Sequence, residues 1–222
     1  MIFQFIDRIS FDPTGAVIGL AAFALALVVG ITVHEFSHAL SAFRLGDNTA
    51  KNLGRLTLNP RAHLDPFGTI MLIVGGFGWG KPTPVSPWNL RIGEKAGMAV
   101  VSIAGPISNL LIAFLVALPI RLARLDLLDW QPSSVILQFM SALIIWNIVL
   151  AAFNLLPIAP LDGFKIVLGL LPRDMALPFA RTERYGPMVL ILLVISGAAF
   201  GIPILGYVMN PIRSALLSLV LG

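Results

Sequence analysis

The chain contains no cysteine among its 222 residues. Disulfides, iron–sulfur clusters and thiolate zinc sites are therefore excluded, and any metal has to be held by histidine and carboxylate. Charge is scarce as well. Asp, Glu, Lys and Arg make up 12% of the residues, whereas a soluble domain carries about a quarter. So few charges cannot coat a globule with polar surface. Internal repeats and low-complexity linkers are missing, and the length leaves little room for a separate soluble domain beside one compact helical unit.

What the chain has instead is hydrocarbon. Hydrophobic residues make up 57%, mean hydropathy is +0.91, and several apolar runs reach the roughly 20 residues needed to cross a bilayer. This composition predicts an all-α polytopic membrane protein, a single domain over residues 1–222. It has about four transmembrane helices, a re-entrant segment and a small membrane-associated β element. The spans are expected at about 15–43, 96–120, 133–156 and 187–207. Residues 1–14 read as a short amphipathic start. The first apolar run is too long for a signal-peptide core and has no small-residue cleavage site after it, so it is expected to be retained.

Between the first two spans lies a strand and re-entrant region, about 49–82. Leu56-Thr57-Leu58 alternates like a short strand, with Gly54 as a turn or bulge. Phe67 to Phe77 is apolar but too short to span, and it dissolves into Gly75-Gly76-Phe77-Gly78-Trp79-Gly80. Phe164 to Leu171 reads as a short helix, and the apolar tail after Pro211 as too short to cross.

The net charge of +4 is better explained by cytoplasmic loops than by nucleic acid. Arg44, Lys51, Arg55 and Arg61 follow the first span, and only Arg8 precedes it. The positive-inside rule then puts the N-terminus outside and the end of the first span in the cytoplasm. If 67–77 re-enters rather than crosses, the 133–156 span runs inward and delivers Asp162 to the leaflet of His34 and His38. If it crosses, Asp162 lies on the opposite side.

The chemistry concentrates in His34-Glu35-x-x-His38, near the end of the first span. On a helix, residues four apart face the same way, so the two histidines can grip one metal ion. Glu35 can reach a water on that ion and is the candidate catalytic base. The other three spans hold no Asp, Glu, His, Lys or Arg. The ionisable groups within apolar surroundings are His34, Glu35, His38, Asp162 and Lys165, and such groups are costly unless paired or functional. Two histidines and Asp162 make three ligands for one zinc ion per chain, leaving a fourth position for water.

These residues resemble the site-2 proteases, zinc metalloproteases that cut transmembrane helices within the bilayer. His34-Glu35-x-x-His38 is similar to the family's first motif. Asn154-Leu-Leu-Pro157-Ile-Ala-Pro160-Leu-Asp162-Gly163 is similar to its second, whose aspartate is the third ligand. Gly105-Pro106-x-x-Asn109, the turn from Asn59-Pro60 to Asp65-Pro66-x-Gly68, and Gly78-Trp79-Gly80-Lys81-Pro82 resemble the small prokaryotic branch. The match covers most of the chain. No stretch between spans is long enough for a PDZ domain, and the chain ends without a CBS pair. What restrains or recruits substrates in other members is therefore missing or supplied by a partner protein. The resemblance implies a membrane-anchored protein substrate, often a transcription regulator or an anti-sigma factor already trimmed by another protease. Asn154 would hold the unwound strand or the developing oxyanion. The strand-like 53–58 stretch and the glycine-rich 75–80 stretch would offer an edge for strand addition.

Plainer readings compete. The histidine motif is also a pattern that recurs by chance in helices. Asp162 fits a helix N-cap after Pro160, and Asp65 is the rival third ligand. Lys165 fits a snorkelling interfacial residue, His63 a turn histidine, and Asn109 and Asn154 hydrogen bonds between helices. Two other functional classes remain. A metal-ion transporter needs polar groups along a route through several helices, and here they cluster at one depth. A silent adaptor or chaperone of the same fold has no need of an intact Glu35.

Overall fold

The computed structural model describes residues 11–75, 78–201 and 203–222. The chain enters α1 (Pro13–Arg44) at Asp12, whose carboxylate accepts a hydrogen bond from the Gly15 backbone N–H at 2.9 Å. A single turn, α2 (Thr49–Asn52), and the ten-residue α3 (Pro66–Gly75) follow. Next come α4 (Glu94–Arg124), α5 (Ser134–Asn154), α6 (Asp162–Leu170), α7 (Arg173–Ala180), α8 (Gly186–Phe200) and α9 (Ile204–Leu221).

Helices α1, α4 and α5 pack against one another in alternating directions. Small residues line their contacts: Ala26, Ala39, Ala42, Ala113, Ala117, Ala151 and Ala152 are all buried. In hydrocarbon no hydrophobic force drives helices together, so close backbone approach at small side chains supplies the packing. Leu111, Leu115 and Ile107 of α4 remain more than half exposed, as expected of a face turned to lipid. Phe23 and Trp146 meet edge to face at 4.6 Å, locking α1 to α5.

Four described helices are long and apolar enough to cross a membrane: α1, α4, α5 and α9. Three of them cover the segments expected to span, but the fourth is displaced. The helix expected over 187–207 ends at Phe200, where Gly201 adopts φ 66°, and Pro203 precedes a new helix. A left-handed glycine followed by proline is a strong helix stop. The tail expected to be too short instead forms the C-terminal half of α9, with Pro211 inside it. This helix starts beside Leu156 and Leu161 and ends at the far end of α4. There Arg121 donates to the Leu219 and Val220 carbonyls.

The expected β element is reduced, among the described residues, to one antiparallel bridge between Leu64 and Gly80. Residues 53–58 turn back on themselves instead of pairing. The Arg55 N–H bonds to the Ala50 carbonyl at 2.8 Å, and Gly54 has φ +69°. The bridge nevertheless brings the two ends of the intervening segment together. Residues 64 and 80 lie together, and the rings of Phe67 and Trp79 are 5.9 Å apart. The excursion through α3 thus returns to its origin. Gly76 and Phe77, part of the expected re-entrant stretch, and residues 1–10 lie outside the described residues.

The whole 45–91 region also begins and ends at one place, since the Arg91 N–H donates to the Leu45 carbonyl at 2.9 Å. Asp47, with no exposed surface, fastens it. Its carboxylate accepts bonds from the Ser86 N–H at 2.8 Å, Asn89 Nδ2 at 3.1 Å, and the Thr49 N–H and hydroxyl. Consequently α4 starts at the end of the bundle where α1 stops.

Candidate metal centre

Helix periodicity puts His34 and His38 on one face of α1, both buried, their rings meeting edge to face at 4.6 Å. Asp162 is the first residue of α6. Leu161 occupies the N-cap and makes no side-chain capping bond. Gly163 allows this arrangement, because a Cβ there would lie 2.3 Å from the Leu155 carbonyl oxygen. The Asp162 carboxylate is thereby turned into the bundle. Its Oδ2 lies 3.1 Å from His34 Nε2 and 3.2 Å from His38 Nε2.

The opposite edges of both imidazoles are taken. His38 Nδ1 is 2.7 Å from the Val101 carbonyl, and His34 Nδ1 is 2.7 Å from Asn109 Oδ1. A carbonyl oxygen only accepts, so the protons sit on Nδ1 and both Nε2 atoms present lone pairs. Those lone pairs face a third acceptor, Asp162 Oδ2, which is buried and has no hydrogen-bond partner. Three convergent acceptors without a donor are the signature of a cation site. Zinc bound by nitrogen and oxygen at about 2.0 Å in tetrahedral geometry sets its ligand atoms about 3.3 Å apart, close to the spacing here. Gly105 completes the fit, because a Cβ there would stand 2.5 Å from His38 Nε2 and 2.6 Å from His34 Nε2. His34, His38 and Asp162 are the one such group among the described residues.

Glu35 lies beside this centre. Its Oε2 accepts the Thr83 backbone N–H at 2.8 Å, while the Thr83 hydroxyl donates to the Glu35 carbonyl at 3.0 Å. A cavity of about 320 Å³ runs along the centre. Besides the ligands and Glu35, its walls include Trp79, Thr83, Phe153, Asn154 and Lys165.

The remaining candidates from the sequence take distinct places. Asn154 reaches the cavity, with its Nδ2 donating to the Leu150 carbonyl of its own helix at 3.0 Å. Asp65 caps the start of α3 through the Gly68 N–H at 2.7 Å, away from the three ligands. His63 has no exposed surface and is 2.7 Å from the Thr57 carbonyl, inside the 45–91 cap. Sequence reasoning weighed Asn109 but did not connect it to His34, and it gave no role to Thr83, Val101 or Asn147. A polar residue in an otherwise apolar span was the available signal for both asparagines. The contacts of Thr83 and of the Val101 carbonyl carry no sequence signature.

The bundle and its centre define a multi-pass membrane protein with a candidate His₂-carboxylate metal site and an adjacent glutamate. Residues 22–124 and 116–197 match peptidase family M50. The chain belongs to this family, that of the site-2 proteases. Two similar proteins both carry the printed name "Putative zinc metalloprotease". YwhC of Bacillus subtilis is 42% identical over 195 residues, covering 86% of this chain and 85% of its own. Rip2 of Mycolicibacterium smegmatis is 30% identical over 178 residues, covering 77% and 65% respectively. No solved structure matches the chain. Kinship and geometry agree on a membrane metalloprotease, and the printed names of the relatives point to zinc as the metal that His34, His38 and Asp162 suit.

Proposed function

We propose that this protein is a zinc endopeptidase that cuts transmembrane segments of membrane-anchored proteins within the bilayer. The observation that carries the reading is the depth of the site. His34 lies ten residues before the end of α1, about 15 Å along the helix axis, among helices whose other faces are apolar. A peptidase aimed at soluble chains has no use for a centre at that depth.

His34, His38 and Asp162 would hold the zinc ion, which would supply Lewis acidity and make a water easier to deprotonate. The protein's own groups do the rest. Glu35 takes the proton of the attacking water and returns it to the leaving amide nitrogen. The Thr83 N–H holds the Glu35 carboxylate in place for both transfers. A substrate helix hides its carbonyls in internal hydrogen bonds, so it has to unwind before one reaches the centre. The cavity suits an extended strand rather than a helix about 10 Å wide, and Asn154 on its wall is placed to hold that strand or the developing oxyanion.

The N-terminus lies outside and the centre faces the cytoplasmic leaflet, with α3 re-entering the membrane. The basic residues after α1 and the Leu45–Arg91 contact support this topology. Substrates in this reading are membrane-bound transcription regulators or anti-sigma factors, and a partner protein takes part in regulation.

The test uses purified protein in detergent and a model single-span substrate. Wild type carries one zinc per chain and cleaves, and a chelator stops it. Glu35→Gln keeps its zinc and loses roughly 10²–10⁴-fold in rate. Undiminished cleavage by that variant removes Glu35 as the base.

A further inference from the structure

We infer that Asn147 of α5 is a positioning residue that dictates which nitrogen of His34 carries the proton, and so whether Nε2 offers the metal a lone pair. The inference rests on the zinc reading above. It starts from a backbone carbonyl that is not part of the metal centre, and each step is a matter of donor and acceptor polarity.

Asn147 has no exposed surface, and its Nδ2 donates to the Leu143 carbonyl, one turn back in α5, at 2.8 Å. A carbonyl only accepts, so the amide is oriented with its NH₂ toward Leu143 and its oxygen toward α4. Asn109 meets that oxygen and has to present its own NH₂. Its Nδ2 donates to Asn147 Oδ1 at 2.9 Å and to the Gly30 carbonyl at 3.1 Å. Asn109 Oδ1 is then the atom left for His34, 2.7 Å from Nδ1. An amide oxygen requires a proton there, so Nε2 keeps its lone pair for the metal. The hydrogen-bond relay runs from the Leu143 carbonyl through two amides to His34 and links all three central helices.

Hydrocarbon makes the relay count. Asn109 and Asn147 have no exposed surface, so solvent cannot replace a lost bond between them and an unpaired amide is expensive. Without Asn147, one of the two anchors that orient Asn109 is gone. A flipped Asn109 would aim its NH₂ at His34 Nδ1, move the proton to Nε2 and turn a donor toward the metal. If the two asparagines merely bridged helices, losing Asn147 would lower thermal stability and leave metal affinity alone.

The zinc-loaded wild type supplies the first measurement, ¹⁵N NMR of the ring nitrogens. With three histidines in the chain, the expected pattern is a proton on Nδ1 of His34 and His38. His63 is expected to carry it on Nε2, which faces the Thr57 carbonyl. Asn147→Leu should weaken zinc binding about 10- to 100-fold, the range typical of residues that support a metal ligand, and shift the His34 ring signals. Asn147→Asp, protonated at this depth, keeps one donor and one acceptor and should bind zinc nearly as wild type does. Wild-type zinc affinity in folded Asn147→Leu overturns the inference, as does a proton on His34 Nε2 in the loaded wild type. If Asn147→Leu does not fold, the ring pattern and Asn147→Asp still decide. Failure of the zinc reading would look different: His34→Ala would still hold one zinc per chain.

Discussion

Gly105 of α4 lies so close to His38 of α1 that a Cβ on Gly105 would stand 2.5 Å from the ligand atom Nε2. The two helices therefore share the metal centre, although α4 contributes no ligand side chain to it. A glycine gives the imidazoles a floor, and the Val101 carbonyl one turn earlier in α4 holds His38 from behind.

Gly105→Ala should accordingly displace the ligands. Overpacking of a closed interior typically costs about 1–3 kcal/mol, and here the intruding methyl stands at the ligand nitrogens themselves. Zinc per chain should fall sharply while helix content by circular dichroism stays near wild type. Full occupancy in this variant would show that α1 and α4 separate more readily than their packing implies.

Asp162→Ala should lose zinc outright, because two histidines leave the site one ligand short. Asp65→Ala should keep it, since Asp65 Oδ1 is engaged with the Gly68 N–H. Metal analysis after dialysis separates the two. The reverse result would make Asp65 the third ligand.

Thr83→Pro removes both the N–H that donates to the Glu35 carboxylate and the hydroxyl that donates to the Glu35 carbonyl, between two prolines that already keep the segment extended. Turnover should fall about tenfold, equivalent to about 1.4 kcal/mol of transition-state stabilisation, with zinc content unchanged. A parallel loss of zinc would mean that the segment supports the ligands rather than the base.

Asp47 provides a pH dependence. Burial pushes its carboxyl up, but the bonds from the Thr49 side chain, the Ser86 N–H, Asn89 and the Thr49 N–H outweigh that and hold it below its ordinary value. A lowered folded-state pKa makes the stabilisation complete above the unfolded value of about 4. It is lost as pH falls below that. Asp47→Asn should lower the melting temperature near neutral pH and flatten its decline between about pH 5 and 3. An unchanged acid limb would exclude Asp47 as its source.

The absence of cysteine permits a direct test of orientation. Leu53→Cys and Leu127→Cys lie at exposed positions, 64% and 71%, in the loops after α1 and α4. The proposed topology has an impermeant maleimide in intact cells label Leu127→Cys and spare Leu53→Cys. The opposite pattern inverts the protein in the membrane.

Legibility in the sequence followed the range of the interaction. The His34–His38 pair was readable because helix geometry alone aligns residues four apart. Asp162 was readable as one of very few ionisable groups in apolar surroundings. The strand at 56–58 was misleading, since alternation does not supply a partner and the Arg55 N–H bonds within its own turn instead. The displaced fourth helix had its signal in Gly201 and Pro203, but the length of the apolar run outweighed it in the sequence reading.

By itself the sequence determined the class of protein, the candidate ligand types and the placement of the two histidines on a membrane helix. These follow from composition and helical period, both local properties. Only the tertiary structure decided that Asn109 backs His34 across 75 residues, that the Val101 carbonyl backs His38 across 63, and that Thr83 holds Glu35 across 48. Such partners are chosen by how three helices and a returning loop pack, and two of them act through backbone atoms that every residue carries. Residue identity therefore announces the ligands, while packing chooses what holds them.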